Sequence, residues 1–308
     1  MAWLASDFLL EVRQAIGLAA SGATPSGLTD ANLLPVADRE IQTSLVPLLM
    51  SVREEFYVLK KSYAITAGTT RVRIPGRTIA GRIRDARLTV GTSERRLIRY
   101  ESEDKTRYFP LNGGGATPAG YYVEGEWLVL LPQSSLAATL DVYYFGRPGR
   151  LTITSSEWDV VNAITTTGSV SSVNLAGSTT PASLLYDIVR ADSGFAPLIQ
   201  NVVMDGTSLG AFDCASTVGA LIAVGDYIVS ADKTPVVPLP VELHGVLVAR
   251  TAAAVLRQLG KYSEANAETK HADELSGAAL AMLAPRVTNQ PKVAIGKLFS
   301  RRRVQRFW

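Results

Sequence analysis

The sequence predicts an α+β fold in which helices near both ends enclose two β-rich regions and an extended tail follows. Three observations lead to this prediction. Apolar residues recur at helical spacing near both ends of the 308-residue chain, alternation with period two dominates the middle, and the last residues carry bases without acids. The N- and C-terminal helix pairs are expected to form one four-helix bundle, with both β regions inserted between them.

The first half of the predicted bundle contains two helical regions. The first covers residues 7–19, where apolar side chains share one face. The second begins near Asp30 and continues through an apolar stripe at three- and four-residue steps. The stripe consists of Ile41, Leu45, Leu48, Val52, Phe56 and Leu59. Pro35 and Pro47 each lack a backbone donor, so they should start or kink this second helix.

From Tyr63 the pattern changes to the alternation that is typical of antiparallel strands. Glu124 and Gly125 are predicted to form a hairpin turn between two of these strands. The predicted strands cover residues 70–74, 79–90, 96–100, 121–123, 127–131 and 139–145.

Residues 151–237 differ in composition from the region before them. They are rich in Ser, Thr, Gly and Val and hold two bases against eight acids. The stretch 217–229 is interpreted as strands. We therefore predict a second, acidic, β-rich domain inserted at this point, with hinges at residues 154–156 and 233–240.

Two helices are predicted after this insert. Pro240 should open the first, which ends at Gly260, and Ser263 should cap the second, which ends before Pro285. The predicted domains follow the chain in order. They are the first half of the bundle (1–62), the antiparallel β domain (63–150), the insert (151–237), the second half of the bundle (238–285) and the extended tail (286–308).

The formal net charge of +3 hides an uneven distribution. The chain has 31 Lys and Arg against 28 Asp and Glu. Residues 275–308 hold seven of these bases and none of the acids, so the rest of the chain is net −4. Such asymmetry indicates an acidic body and a basic tail that face different partners.

No catalytic constellation is recognisable. Glu54 and Glu55 are adjacent, so on a helix they do not face one another, and we interpret them as a solvated face. His244 and Asp187 lack a Ser or Cys partner at a recognisable spacing, and His244 is interpreted as a helix-surface histidine. With Cys214 as the single cysteine, a disulfide framework and a Cys/His zinc site are excluded. We expect no enzyme activity, catalytic residue, metal or cofactor.

Targeting signals are also absent from the sequence. The N-terminal apolar stretch has no early base and is broken by Asp7 and Glu11, which argues against a signal peptide. No apolar run reaches the roughly 18 residues of a membrane-spanning helix. We expect a protein that is made in the cytoplasm and has no membrane contact.

A basic segment lies in the first β region, where residues 71–107 hold eleven bases and five acids. Such a surface could contact a neighbouring subunit, the acidic insert or a nucleic-acid backbone. We favour subunit contact over DNA. The candidate residues for a subunit or DNA-channel contact are Arg71, Arg73, Arg82, Arg84, Arg87, Arg95, Arg96 and Arg99.

The C-terminal tail combines bases with aromatic residues, and its prolines at 285 and 291 argue against a helix. Arginine and aromatic side chains are preferred anchors of protein interfaces. A solvated basic tail and a DNA contact are the alternatives. The candidate anchors are Arg286, Lys292, Lys297, Phe299, Arg301, Arg302, Arg303, Arg306, Phe307 and Trp308.

Several segments, taken in their order along the chain, resemble the head-to-tail connector (adaptor) proteins of tailed phages. They begin with Ile41-Gln-Thr-Ser-Leu and Arg71-Val-Arg-Ile-Pro-Gly-Arg. The full set covers residues 41–56, 71–77, 83–86, 121–125, 144–148, 225–229, 234–236 and 239–244.

The resemblance implies a structural virion protein at the head-to-tail interface. It implies a ring, expected to contain twelve copies, that docks below the portal protein and joins it to a tail nozzle or tail tube protein. Packaged DNA would pass through the channel of this ring without sequence-specific binding. Residues 286–308 occupy the place of the tail that docks on portal subunits.

Two other functions stay open at this point. One is a virion-associated cell-wall hydrolase, although no carboxylate pair is placed by a recognisable motif. The other is a DNA-binding virion protein, which the arginine-rich segment and the tail would both suit.

Overall fold

A computed structural model describes residues 3–18, 28–101, 117–177, 185–191, 197–208 and 210–283. Their architecture is mixed α+β. The α-helices are α1 (Ala5–Ala15), α2 (Asp30–Glu40), α3 (Val46–Val52), the short α4 (Ser216–Gly219), α5 (His244–Gln258) and α6 (Tyr262–Leu283). A π-helical segment (Ile41–Leu45) joins α2 to α3, and 3₁₀ turns cover Glu54–Tyr57 and Val241–Leu243.

Helices from both ends of the described chain share one apolar core. Helix α5 contacts α1, α2 and α6, and Phe8, Leu33, Leu49 and Leu247 are completely buried among them. The helical body is thus built from residues that lie before and after the β regions. A regular four-helix bundle stays a prediction.

The second helical stretch ends earlier than the apolar stripe predicts. Helix α3 ends at Val52, and the chain then enters a strand at Val58, so the prediction of a helix through Phe56 and Leu59 is wrong. Tyr57 is fully buried here and its hydroxyl donates to the Pro238 carbonyl at 3.0 Å. Burial of Tyr57 against Pro238 requires the helix to end before it. The spacing of apolar residues does not show this contact, because Pro238 is distant in the sequence.

The first β region is a sandwich of two four-stranded sheets. The strands are β1 (Val58–Ile65), β2 (Arg71–Arg73), β3 (Thr78–Val90), β4 (Ser93–Arg96), β5 (Ile98–Arg99), β6 (Gly120–Glu124), β7 (Trp127–Leu131) and β8 (Ala138–Gly146). The strand orders of the two sheets are β1-β8-β3-β4 and β2-β7-β6-β5, and the inward side chains of both sheets form one apolar core. In the β6–β7 hairpin Gly125 adopts φ +58°, which favours glycine.

The insert has a β-sheet core of its own. Its strands are β9 (Arg150–Leu151), β10 (Trp158–Thr167), β11 (Val170–Leu175), β12 (Leu185–Val189), β13 (Pro197–Val203), β14 (Asp205–Ser208), β15 (Ala211–Ala215), β16 (Tyr227–Ser230) and β17 (Lys233–Thr234). Seven of them form one sheet in the order β13-β12-β16-β10-β11-β15-β14, and the short pair β9 and β17 forms the root of the insert.

Residues 217–229 of the insert contain a helical turn as well as a strand. Residues 217–229 were expected to be strands, but they begin inside helix α4 and only their end enters β16. Gly219 in α4 lies so close to buried Ser171 of β11 that a Cβ atom there would overlap the serine side chain. This tertiary contact fixes a helical turn where the apolar composition suggests a strand.

The two ends of the insert lie side by side. Strand β9 pairs in parallel with β17, so that Arg150 is opposite Lys233 and Leu151 is opposite Thr234. Directly afterwards Val236 forms a bridge with Leu4 near the N-terminus. The insert therefore leaves and re-enters the body at one place, next to the helical core.

Candidate interaction surfaces

The predicted portal-docking residues lie outside the described part of the chain, which ends at Leu283. The candidate arginines of the β sandwich are described, and they divide between its two sheets. Arg82, Arg84, Arg87, Arg95 and Arg96 lie on β3 and β4. The others, Arg71, Arg73 and Arg99, lie on β2 and β5 of the second sheet.

Some of these arginines are already paired on the outer face of the first sheet. Arg87 donates to Asp85 at 3.1 Å and to Glu94 at 3.0 Å, and Arg96 donates to Asp85 at 2.8 Å. Because both guanidinium groups have carboxylate partners within their own domain, they offer little net charge to a phosphate backbone.

A second ion pair continues this polar row on the neighbouring strands. Lys60 of β1 lies 2.7 Å from Asp141 of β8, which also accepts the Ser62 hydroxyl at 2.6 Å. Burial alone would raise the pKa of Asp141, but the hydrogen bonds from Lys60 and Ser62 outweigh it and leave that pKa below its usual value. The outer face of this sheet is thus largely charge-compensated.

Two further arginines have acidic partners at the surface. Arg73 donates to Glu126 at 2.8 Å, and Arg84 lies 3.7 Å from Glu54. Glu54 and its neighbour Glu55 are exposed on a 3₁₀ turn rather than on a helix face, and Glu55 accepts from Arg53 at 3.1 Å. They take part in surface ion pairs and do not face a common substrate.

The remaining four candidates have no carboxylate partner among the described residues. The guanidinium of Arg71 lies 4.4 Å from the centre of the Trp127 ring, and that of Arg82 lies 5.0 Å from the centre of the Phe145 ring. Arg95 and Arg99 are exposed. These four retain both charge and donors for a partner.

The structure assigns a role to a base of the same segment that the sequence did not single out. Arg77 forms an ion pair with Asp187 of the insert, and its Nε lies 3.3 Å from Asp232. Asp187 is 1% exposed and also accepts the backbone N–H groups of Asn201 at 3.0 Å and Asp232 at 3.1 Å. Arg77 in turn donates to the Arg147 carbonyl at 3.2 Å. At this point the basic segment meets the acidic insert of its own subunit.

Other acids of the insert also have partners inside it. Asp159 accepts the Gly177 N–H at 3.0 Å, and Asp226 accepts the Ala223 N–H at 2.8 Å. Glu157 accepts the hydroxyl of Thr152. Much of the acidic excess therefore stabilises loops of the insert rather than forming an open acidic surface.

A long trough, which sequence reasoning missed, lies on the outer side of α2, the π-helical segment and α3. It consists of two neighbouring grooves that share Gln42 and Thr43 as lining residues, with volumes of about 650 and 480 Å³. Asp38 lies in one groove, where its carboxylate accepts the Leu151 N–H at 2.9 Å. Burial raises the pKa of Asp38 to about 6, although this hydrogen bond and nearby Arg150 act in the opposite direction.

His244 is a packing residue and not the helix-surface histidine that the sequence suggested. Its ring stacks on Trp3 with 4.1 Å between the ring centres, and its Nε2 lies 3.0 Å from the Leu239 carbonyl oxygen. Burial lowers the pKa of His244, so the neutral ring is favoured. The aromatic partner comes from the far end of the chain, which local spacing does not indicate.

The described residues contain no group of three His, Cys, Asp or Glu side chains that could hold a metal ion. Within the same residues, no helix is long and apolar enough to cross a membrane.

Comparison with known proteins identifies the family. No curated protein matches the chain. Residues 9–167, slightly more than half of the sequence, match the family model of the SU10 adaptor protein. The matched region runs from α1 through the whole β sandwich to the end of β10. The chain therefore belongs to the SU10 adaptor protein family, and it is a phage adaptor, a structural protein of the virion.

Proposed function

We propose that this adaptor forms a closed ring, expected to contain twelve copies, that docks below the portal and joins it to a tail nozzle or tail tube protein. The observation that carries the proposal is the match of residues 9–167 to the SU10 adaptor family. The ring would stand at the head-to-tail interface of the virion.

The arginines of the β sandwich support different roles within such a ring. Contacts around a closed ring join two different surfaces of the subunit, so one surface need not complement itself. Arg71, Arg82, Arg95 and Arg99 lack carboxylate partners among the described residues, and we assign the contacts with the next subunit or the DNA channel to these four. Arg73, Arg84, Arg87 and Arg96 are paired with carboxylates of the same subunit, so we expect them to contribute less to these contacts.

The proposed ring contacts DNA only where packaged DNA passes through its channel. Unpaired arginines attract any phosphate backbone in a salt-dependent and sequence-independent manner. Packaged DNA would thus pass through the ring during packaging and ejection without being recognised by sequence.

The C-terminal residues 286–308 are the proposed contact with the portal. They hold seven bases, no acid and three aromatic residues, namely Phe299, Phe307 and Trp308. Arginine and aromatic side chains provide much of the binding energy in protein interfaces. In the sequence these residues follow the last helix of the helical body, which ends at Leu283.

Deletion of residues 286–308 tests this assignment. The shortened chain should keep the circular dichroism spectrum and thermal unfolding midpoint of the full chain, because the described cores end at Leu283. It should lose co-purification with the phage's own portal protein. A full-length chain with Arg301, Arg302 and Arg303 changed to Lys provides a control that keeps the charge. Unchanged portal binding by the shortened chain would refute the docking role.

A further inference from the structure

Both grooves of the trough are lined by the same side of the second helical stretch. This helical wall consists of residues that recur at steps of three and four. They are Ala31, Leu34, Pro35, Asp38, Arg39, Gln42, Thr43, Val46, Pro47, Met50 and Ser51. At a rise of about 1.5 Å per residue, this wall is about 30 Å long, which matches about nine residues of extended chain.

The opposite wall comes from the β sandwich and from the root of the insert. It consists of Ile79, Ala80, Arg82, Arg147, Pro148, Arg150, Leu151, Thr152, Thr154, Glu157 and Lys233. Ala80 in this wall has an unusual backbone conformation for a residue other than glycine, with φ +49°. Its neighbour Gly81 has φ +66°, and the β3–β8 register shifts between Thr78 and Ile83. Such backbone strain persists only where the surrounding structure enforces it.

The trough has an excess of positive charge. Five bases and two acids line its walls, and the bases are Arg39, Arg82, Arg147, Arg150 and Lys233. Two of them are partly compensated, since Arg150 lies 3.5 Å from Asp232 and Lys233 lies 3.7 Å from Glu157. Among the described residues, Arg39, Arg82 and Arg147 have no carboxylate partner. A ligand that complements this trough must therefore be acidic.

The lining also argues for a peptide rather than a nucleic acid. One end of the trough is apolar, with Val46, Pro47, Met50, Ile79 and Pro148 on its walls. None of the residues that line either groove is aromatic, so bases of a single strand would find no stacking surface there. An apolar side chain, by contrast, would be removed from water beside Met50.

We propose that this trough binds an extended, acidic segment of another protein, with a large apolar side chain seated against Pro47 and Met50. A second copy of this chain is the less suitable occupant, because acids of the insert such as Asp159, Asp187 and Asp226 have internal partners. The inference goes beyond the proposed function and does not depend on ring formation or on the portal.

Fluorescence anisotropy of the full chain with labelled peptides tests this proposal. The probes are nine-residue capped peptides with four Asp or Glu residues and one Leu or Phe at each position in turn, and a matched set carries Lys in place of the acids. Acidic peptides should bind, basic ones should not, and affinity should fall as salt increases. The double change Arg39→Glu and Arg147→Glu, with one base from each groove, should weaken binding at least tenfold. Arg95→Glu with Arg99→Glu, away from the trough, should not.

A second variant addresses the groove itself. Thr43 is exposed on the π-helical segment and lines both grooves, so Thr43→Trp should fold and should block the acidic peptide. The proposal is overturned if no acidic peptide binds more tightly than its basic counterpart, or if the control pair causes the same loss. It is also overturned if duplex DNA displaces the peptide, or if sedimentation of the chain alone shows self-association that the trough variants abolish.

Discussion

Arg77 joins the β sandwich to the insert through a charge pair that is almost completely removed from water. Its partner Asp187 is 1% exposed and receives two backbone N–H groups besides the guanidinium. A buried pair of this kind adds little net stability over an apolar pair, but removing one partner leaves an uncompensated charge. The pair therefore favours one orientation of the insert on the body.

Replacing Arg77→Met should lower the free energy of unfolding by about 3–5 kcal/mol, because the Asp187 carboxylate would stay buried without a cation. Urea unfolding followed by tryptophan fluorescence measures this loss. Arg73→Met is the matched control, since the Arg73–Glu126 pair is exposed and such pairs contribute less than about 1 kcal/mol. Equal losses in the two variants would contradict the account.

The stability of the protein should depend on pH through Asp38, whose side chain lines the trough. Burial raises its pKa from 3.8 to about 6. Between these values the folded state holds a proton that the unfolded state has released, so stability should fall as pH rises from about 4 to 6 and then level off. The two pKa units correspond to at most about 3 kcal/mol.

Carbon-detected NMR of the Asp38 carboxyl should therefore give a titration midpoint near pH 6. In Asp38→Asn, where the amide oxygen can still accept the Leu151 N–H, the loss of stability between pH 4 and 6 should be reduced by the Asp38 contribution. A midpoint near pH 4 in the native protein would show that the carboxyl is not buried as described.

At the scale of single elements, two glycines on helices make opposite predictions. A Cβ at Gly219 in α4 would overlap the buried side chain of Ser171, whereas a Cβ at Gly277 in α6 would meet nothing within 4 Å. Gly219→Ala should destabilise by about 1–3 kcal/mol through overpacking, and Gly277→Ala should stabilise by up to about 1 kcal/mol through helix propensity. Thermal unfolding midpoints that shift in the same direction would contradict this assignment.

The bounds of an element can be predicted from the sequence where neighbouring residues alone determine them. The strand predicted at residues 127–131 is strand β7, because a short apolar run directly after a glycine turn defines it locally. The helix that was expected to reach Leu59 ends at Val52, since burial of Tyr57 against Pro238 depends on residues 181 positions away. Helix α4 was missed because its close contact with Ser171 is equally non-local.

At the scale of the whole molecule, the sequence shows where the arginines of the first β region lie but not which acids pair with them. The run of arginines on β2 to β5 was visible, but Glu126 lies 53 residues after Arg73, and Asp187 lies 110 residues after Arg77. Only the fold reveals that Arg73, Arg84, Arg87 and Arg96 are compensated. The trough was hidden for the same reason, because its second wall belongs to two other parts of the chain.

The whole subunit therefore combines a helical body, a β sandwich and an insert whose two ends meet at β9 and β17. Membership of the SU10 adaptor family makes it a structural component of a phage. The four arginines without carboxylate partners among the described residues, the trough and residues 286–308 are then three candidate contact surfaces, and Arg82 belongs to both of the first two. We expect variants of one surface that leave Arg82 unchanged to keep binding at the other surfaces intact.

Electron microscopy of the purified chain mixed with the phage's own portal protein tests the central claim most directly. The account predicts closed rings, with twelve subunits in end-on class averages, seated on one end of the portal. It also predicts that deletion of residues 286–308 removes these complexes. Portals that remain bare in the presence of excess full-length chain would contradict the account.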